Sequence, residues 1–138
     1  MPLIAGFAEA MDIAERMRIA EIKRIKTLQS YCVKGLKKLF PKLVLNGSKT
    51  NRVPNNINVY IPGIQIQEVL IQLDRVGIAA SAGSACSARS LQPSLVLKHI
   101  GCTEAQALNS LRITLGRSTD KKEIDSLLKA LKNIISPI

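Results

Sequence analysis

Between Pro2 and Pro41 the chain carries an uninterrupted apolar stripe at helical spacing. Ile4, Phe7, Met11, Ala14 and Met17 recur three and four residues apart, and Ile22, Ile25, Leu28, Cys32, Leu36 and Leu39 continue the series. Pro2 stands where a helix start tolerates a missing N–H, and Pro41 ends the pattern. This predicts one helix over residues 3–39, longer than the average globular helix. A helix of that length joins two bodies, or lies along one and reaches another. Segment 1–42 is therefore read as an inter-domain-type helix. Segment 43–138 is read as a small domain carrying a cysteine-bearing loop at 80–90.

The rest of the chain alternates short strand and helix signals. Leu43–Asn46 reads as a strand closed by Asn46-Gly47, and Ile57, Val59 and Ile61 alternate with polar neighbours between Pro54 and Pro62. Ile66, Val69, Leu70 and Leu73 mark a helix that Gly77 ends. A short strand is expected to begin at Ile78 and Ala79, followed by a loop over 81–90. Short helices are expected from Pro93 to His99 and over 104–109. Leu111, Ile113 and Leu115 form a further alternating strand, and Thr119 is placed as the cap of a last helix whose buried face includes Ile124, Leu127 and Leu131. The expected fold is α+β: a small, mainly antiparallel sheet with helices on one face, preceded by the long helix.

The composition limits the functional classes. The chain has 138 residues and a net charge of +10, from 20 Lys and Arg against 10 Asp and Glu. Residues 1–42 hold nine basic and four acidic side chains, and residues 80–99 hold Arg89 and Lys98 but no acid. The lysine-rich stretch between Lys23 and Lys42 is read as a solvated helix face. Zinc-finger spacings and aromatic RNA-binding signatures do not occur, so nucleic acid is not the expected partner. A pocket in the acid-free segment favours carboxylate or phosphate ligands. No apolar run approaches the ~20 residues of a membrane span. The N-terminal residues lack the basic start of a secretory leader, so a cytoplasmic setting is expected. The cysteines Cys32, Cys86 and Cys102 are odd in number and form no CxxC pair, which argues for a reducing compartment and against a disulfide framework. The single histidine, His99, cannot complete a zinc site with them.

Ser81-Ala82-Gly83-Ser84-Ala85-Cys86-Ser87 is the most informative stretch. Small neighbours leave the Cys86 sulfur uncovered, and Arg89 three residues on favours the reactive thiolate. On these grounds alone, reactive and inert thiols remain equally open. Cys32 lies on the apolar stripe and is expected in the core, and Cys102 follows Gly101 at a helix end.

The segment Ala82-Gly83-Ser84-Ala85-Cys86-Ser87, then Leu91-Gln92-Pro93-Ser94, then Leu111-Arg112-Ile113-Thr114-Leu115-Gly116-Arg117 resembles the C-terminal, small domain of the pyridoxal-phosphate-dependent cysteine desulfurases of the long-loop Gly-Ser-Ala-Cys class. Pro2 to Ala10 resembles the start of that family's inter-domain helix, and Arg52-Val53-Pro54-Asn55 to Asn58-Val59 its first small-domain strand. The five pieces lie in the family's order and spacing.

The resemblance implies an aminotransferase-like small domain and a precise chemistry. Such enzymes convert L-cysteine to L-alanine and leave the sulfur as a persulfide on a loop cysteine, which Cys86 matches. Arg112 matches the arginine that clamps the substrate carboxylate, a task suited to a planar fork of donors. Arg117 and Asn58 also match motif positions, with structural roles expected of both. The implied partners are iron–sulfur scaffold proteins, tRNA-thiolation enzymes and a second copy in a homodimer. The family's large cofactor domain, with its His-Lys Schiff-base site, has no counterpart in these residues. His99 instead follows Lys98. The chain alone is thus expected to be inactive without a large domain in cis or in trans, and removal of that domain would uncover apolar surface on helix 3–39. Arg89 departs from the small residue that many relatives carry. The alternative from another class is a stand-alone persulfide carrier or partner-docking module without cofactor chemistry.

Overall fold

The computed structural model describes residues 1–83 and 92–135. Helix α1 runs Pro2–Leu39, and β1 (Val44–Leu45) and β2 (Asn56–Tyr60) follow. Next come α2 (Ile66–Arg75), β3 (Ser81–Ala82), α3 (Leu95–His99), α4 (Glu104–Leu108), β4 (Ser110–Thr114) and α5 (Lys121–Ile135). The strands make one sheet in the order β1-β2-β4-β3, and every neighbouring pair is antiparallel.

Alternation along the strands sorts the residues between two faces. In the register of β2 and β4, Ile57 faces Ile113 and Val59 faces Leu111. These four side chains are buried. They form one core with Ile25, Cys32 and Leu36 of α1, Ile66, Val69 and Leu73 of α2, and Ile124, Leu127 and Leu131 of α5. All three longer helices therefore cover the same face, as the sequence pattern predicts. The even-numbered residues Asn56, Asn58 and Tyr60, with Ser110, Arg112 and Thr114 opposite, take the other face.

Helix α1 leads two different lives. Its C-terminal half packs on α5, and a Cβ at Gly35 would overlap the Leu128 side chain, so the two helices approach where α1 has no side chain. Its first twenty residues are exposed except for half-buried Ile13, although Leu3, Ile4, Phe7, Met11 and Met17 are apolar. Arg24 fixes α1 against the end of β4. Its Nη1 donates to the Thr119 carbonyl at 2.6 Å, and its Nη2 donates to the Gly116 carbonyl at 2.9 Å and to the Arg117 carbonyl at 3.1 Å. Glu21 holds the guanidinium in place through Nε at 2.8 Å.

Three local expectations need correction. The strand expected at Ile78 and Ala79 lies instead at Ser81–Ala82, within what was read as loop. The Ile78 N–H is already used by the Leu73 carbonyl at the α2 end, so pairing starts only after the chain clears that helix. The helix expected from Pro93 begins at Leu95, with Ser94 as its cap. Thr119 does not cap α5: its Oγ1 accepts the Gly116 N–H, while Asp120 Oδ1 accepts the Glu123 N–H at 2.9 Å and Glu123 Oε2 accepts the Asp120 N–H. Asp120 is one residue nearer the helix and completes the reciprocal box. No helix among the described residues is long and apolar enough to cross a membrane.

Candidate active site

The face of the sheet turned away from α1, α2 and α5 carries a row of polar side chains. Asn46 follows β1, and its N–H donates to the Asn58 carbonyl at 2.9 Å. Asn58 faces Arg112 across β2 and β4, and Arg112 faces Ser81 across β4 and β3. The row therefore runs Asn46, Asn58, Arg112, Ser81 across four neighbouring chain segments. No strand residue is an Asp or Glu. Arg112 is the one ionised group that the strands place there.

Arg112 is half-buried, and its Nη1 donates to the Gly83 carbonyl at 3.1 Å. Gly83 has φ of +67°, a left-handed conformation in which a side chain is strained. That turn aims the carbonyl back at the guanidinium just after β3 ends. The guanidinium thus reaches the start of the segment that carries Cys86. Cys86 and Arg89 themselves lie outside the described residues.

Asn46 and Asn58 of this row also join Ser110 in a polar cluster. Asn46 Nδ2 donates to Asn58 Oδ1 at 2.7 Å and to Ser110 Oγ at 2.8 Å, and Ser110 Oγ donates to the Gln106 carbonyl at 2.6 Å. Ser110 is fully buried and Asn46 nearly so. Arg52 ties down the connection between β1 and β2 by donating to the carbonyls of Asn46, Ser48 and Asn56. Burial lowers the pKa of its guanidinium from the ordinary value. The sequence offered no sign of this cluster, because its partners come from segments far apart in the chain.

Of the other two thiols, Cys32 falls where the apolar stripe placed it, and Cys102 follows Gly101 at a helix end. Cys32 is fully buried, and burial pushes its thiol up to about 12. Cys102 is half-buried after α3. His99 is exposed on α3 and takes no part in the row. Arg117 reaches the Met17 sulfur on α1, a tether between helix and strand end.

The chain matches the aminotransferase class-V family over residues 1–127. The chain belongs to that family. Among curated relatives of this class-V chain, a cysteine desulfurase of Dictyoglomus turgidum is 36% identical over 98% of this chain and 34% of its own length. One from Archaeoglobus fulgidus is also 36% identical, over 98% of this chain and 35% of its own. A solved NifS-like protein superimposes with a TM-score of 0.83 at 27% identity, over 98% of this chain and 33% of its own. A cysteine desulfurase of Thermococcus onnurineus, at 20% identity and a TM-score of 0.71, shares the fold. The chain spans about a third of the length of the curated relatives it matches.

Pyridoxal phosphate is the cofactor this kinship implies. It needs a lysine for its aldehyde, a carboxylate for its ring nitrogen and several donors for its phosphate. The row of Asn46, Asn58, Arg112 and Ser81 supplies neither the lysine nor the carboxylate. These residues do not fit the cofactor as a complete site. Asn58 and Arg112 offer hydrogen-bond donors on this face, while Asn46 spends both amide hydrogens inside the polar cluster.

Proposed function

We propose that this chain is the C-terminal, small-domain portion of a cysteine desulfurase. Segment 1–42 is its inter-domain helix and segment 43–138 its small domain. One observation carries this reading: Arg112 stands on the sheet face turned away from α1, α2 and α5 and is bonded to Gly83, three residues before Cys86. A carboxylate held by that guanidinium lies beside the start of the segment that carries Cys86. The exposed apolar stripe over the first half of α1 is in keeping with a neighbouring domain seated there.

In this reading Arg112 holds the carboxylate of L-cysteine and orients the amino acid. The Cys86 thiolate attacks the substrate sulfur. A bond forms between the two sulfurs, the substrate carbon–sulfur bond breaks with its electron pair left on carbon, and that carbon takes up a proton. L-cysteine and one thiol thus become L-alanine and one persulfide. The persulfide is the form passed to an iron–sulfur scaffold or a tRNA-thiolation acceptor. Pyridoxal phosphate belongs to the complete enzyme, and the isolated chain is inactive. The complete enzyme is a homodimer working in the cytoplasm.

The test combines the chain with a separately produced large domain loaded with pyridoxal phosphate, and measures sulfide released from L-cysteine in the presence of a reducing thiol. Cys86→Ala is expected to abolish the persulfide adduct seen by mass spectrometry and to reduce turnover to background. Full turnover by Cys86→Ala would overturn the assignment.

A further inference from the structure

The orientation of the Asn58 amide follows from a chain of hydrogen atoms that begins well away from it. Ser110 has one hydroxyl hydrogen, and it goes to the Gln106 carbonyl. The oxygen therefore meets Asn46 as an acceptor, so the Asn46 group facing it is the NH2 end. The second hydrogen of the same Nδ2 goes to the Asn58 side chain, and only an oxygen can receive it. Asn58 accordingly turns Oδ1 toward Asn46 and its own NH2 group away.

That NH2 group meets no protein acceptor among the described residues. The Asn58 carbonyl is used by Asn46 on the β1 side, so toward β4 Asn58 and Arg112 form a non-hydrogen-bonded pair. In such pairs the Cα atoms lie only about 4.5 Å apart and the side chains run close together. Beside Asn58, the guanidinium of Arg112 has only the Gly83 carbonyl as a protein partner among the described residues. Two sets of donors, one charged and one neutral, thus converge on a face whose strands hold no carboxylate.

We propose that Asn58 is a second carboxylate-binding residue, donating from Nδ2 to a planar anion held by Arg112, with Asn46 and Ser110 setting the amide the right way round. The inference rests on the proposed desulfurase function only in taking that anion to be the substrate's carboxylate. It replaces the purely structural role that the sequence pattern suggested for Asn58.

The test is a nuclear magnetic resonance titration of the full chain labelled with nitrogen-15. Sodium acetate is added against sodium chloride and sodium phosphate at matched ionic strength, and the Asn58 side-chain amide and the Arg112 Nε–H are followed. Both signals are expected to shift on one saturation curve with acetate and to stay still with chloride. Asn58→Asp keeps the acceptor that Asn46 needs but sets an anion beside Arg112, and it is expected to weaken the acetate response of Arg112 at least tenfold. Movement of Arg112 without Asn58, no movement of either, an unchanged response in Asn58→Asp, or a stronger response to phosphate than to acetate would each overturn the proposal. Should Asn58→Asp fail to fold, the wild-type titration decides alone. Loss of the desulfurase reading leaves this titration untouched, and sulfide release with a silent Asn58 amide would sink the inference alone.

Discussion

Replacing Ser110 by alanine removes one oxygen from the centre of the polar cluster and leaves almost no cavity. Two hydrogen bonds go with it, at 2.8 Å from Asn46 and 2.6 Å to the Gln106 carbonyl. Each is worth about 1 kcal/mol net, and a buried donor left without a partner adds its desolvation cost of ~1–3 kcal/mol. Ser110 is 0% and Asn46 only 6% exposed, so the stranded Asn46 hydrogen cannot turn to water. The expected loss is about 3–5 kcal/mol. With an unfolding entropy of ~2.1 cal/mol/K per residue, a chain of 138 residues would melt about 10–17 °C lower. Urea unfolding followed by circular dichroism should show a lower midpoint with an unchanged slope, because the surface exposed on unfolding is the same. Asn46→Ala and the double variant complete a cycle. Their coupling should be of the order of 1 kcal/mol, since the second substitution removes a bond already half lost. A Ser110→Ala protein within about 0.5 kcal/mol of wild type, with no coupling to Asn46, would refute the cluster's role and with it the fixed orientation of Asn58.

The same structure sets further outcomes. Gly83→Ala sets a side chain at φ of +67°, and should cost about 1–2 kcal/mol in denaturant melts while weakening substrate binding through the displaced carbonyl; a neutral effect on both would contradict the turn described. In the assembled enzyme, Arg112→Lys should lower kcat/KM for L-cysteine about 10–100-fold, mostly through KM, because an ammonium cannot replace the fork. A larger effect on kcat than on KM would contradict a binding role. Burial holds the Cys32 proton on up to about 12, against an ordinary 9.0. Between those values the folded chain binds more protons than the unfolded one. The stability this group contributes is therefore complete below the lower value and falls as pH rises toward the upper, by up to about 1.4 kcal/mol per pH unit. Cys32→Ala should flatten the alkaline slope of urea midpoints by that amount, and an unaltered slope would refute the burial. In the native chain, a thiol reagent should modify half-buried Cys102 well before Cys32.

Periodicity made most of the elements legible. The α1 stripe placed the helix within one residue of its observed span, Pro2–Leu39. Alternation at Ile57, Val59, Leu111 and Ile113 placed the core face of the sheet. Misplacements occurred where apolar spacing carries no information. The two residues of β3 are too few to show a period, and Thr119 and Asp120 are both good caps by composition. Only the direction of their hydrogen bonds separates them.

The linear order of residues was enough to establish the fold class, the long helix and the family. Local rules suffice there, because burial repeats at 3.6 and 2 residues and motif spacing survives in one dimension. Which groups meet was decided only in three dimensions. Arg24 finds its carbonyl partners 92–95 residues away, and Asn46 finds Ser110 64 residues away. Hydrogen bonding acts through space and takes no account of chain separation, so the donors of Asn58 and Arg112 come together, with Asn46 bonded to Asn58, only once β1, β2 and β4 lie side by side.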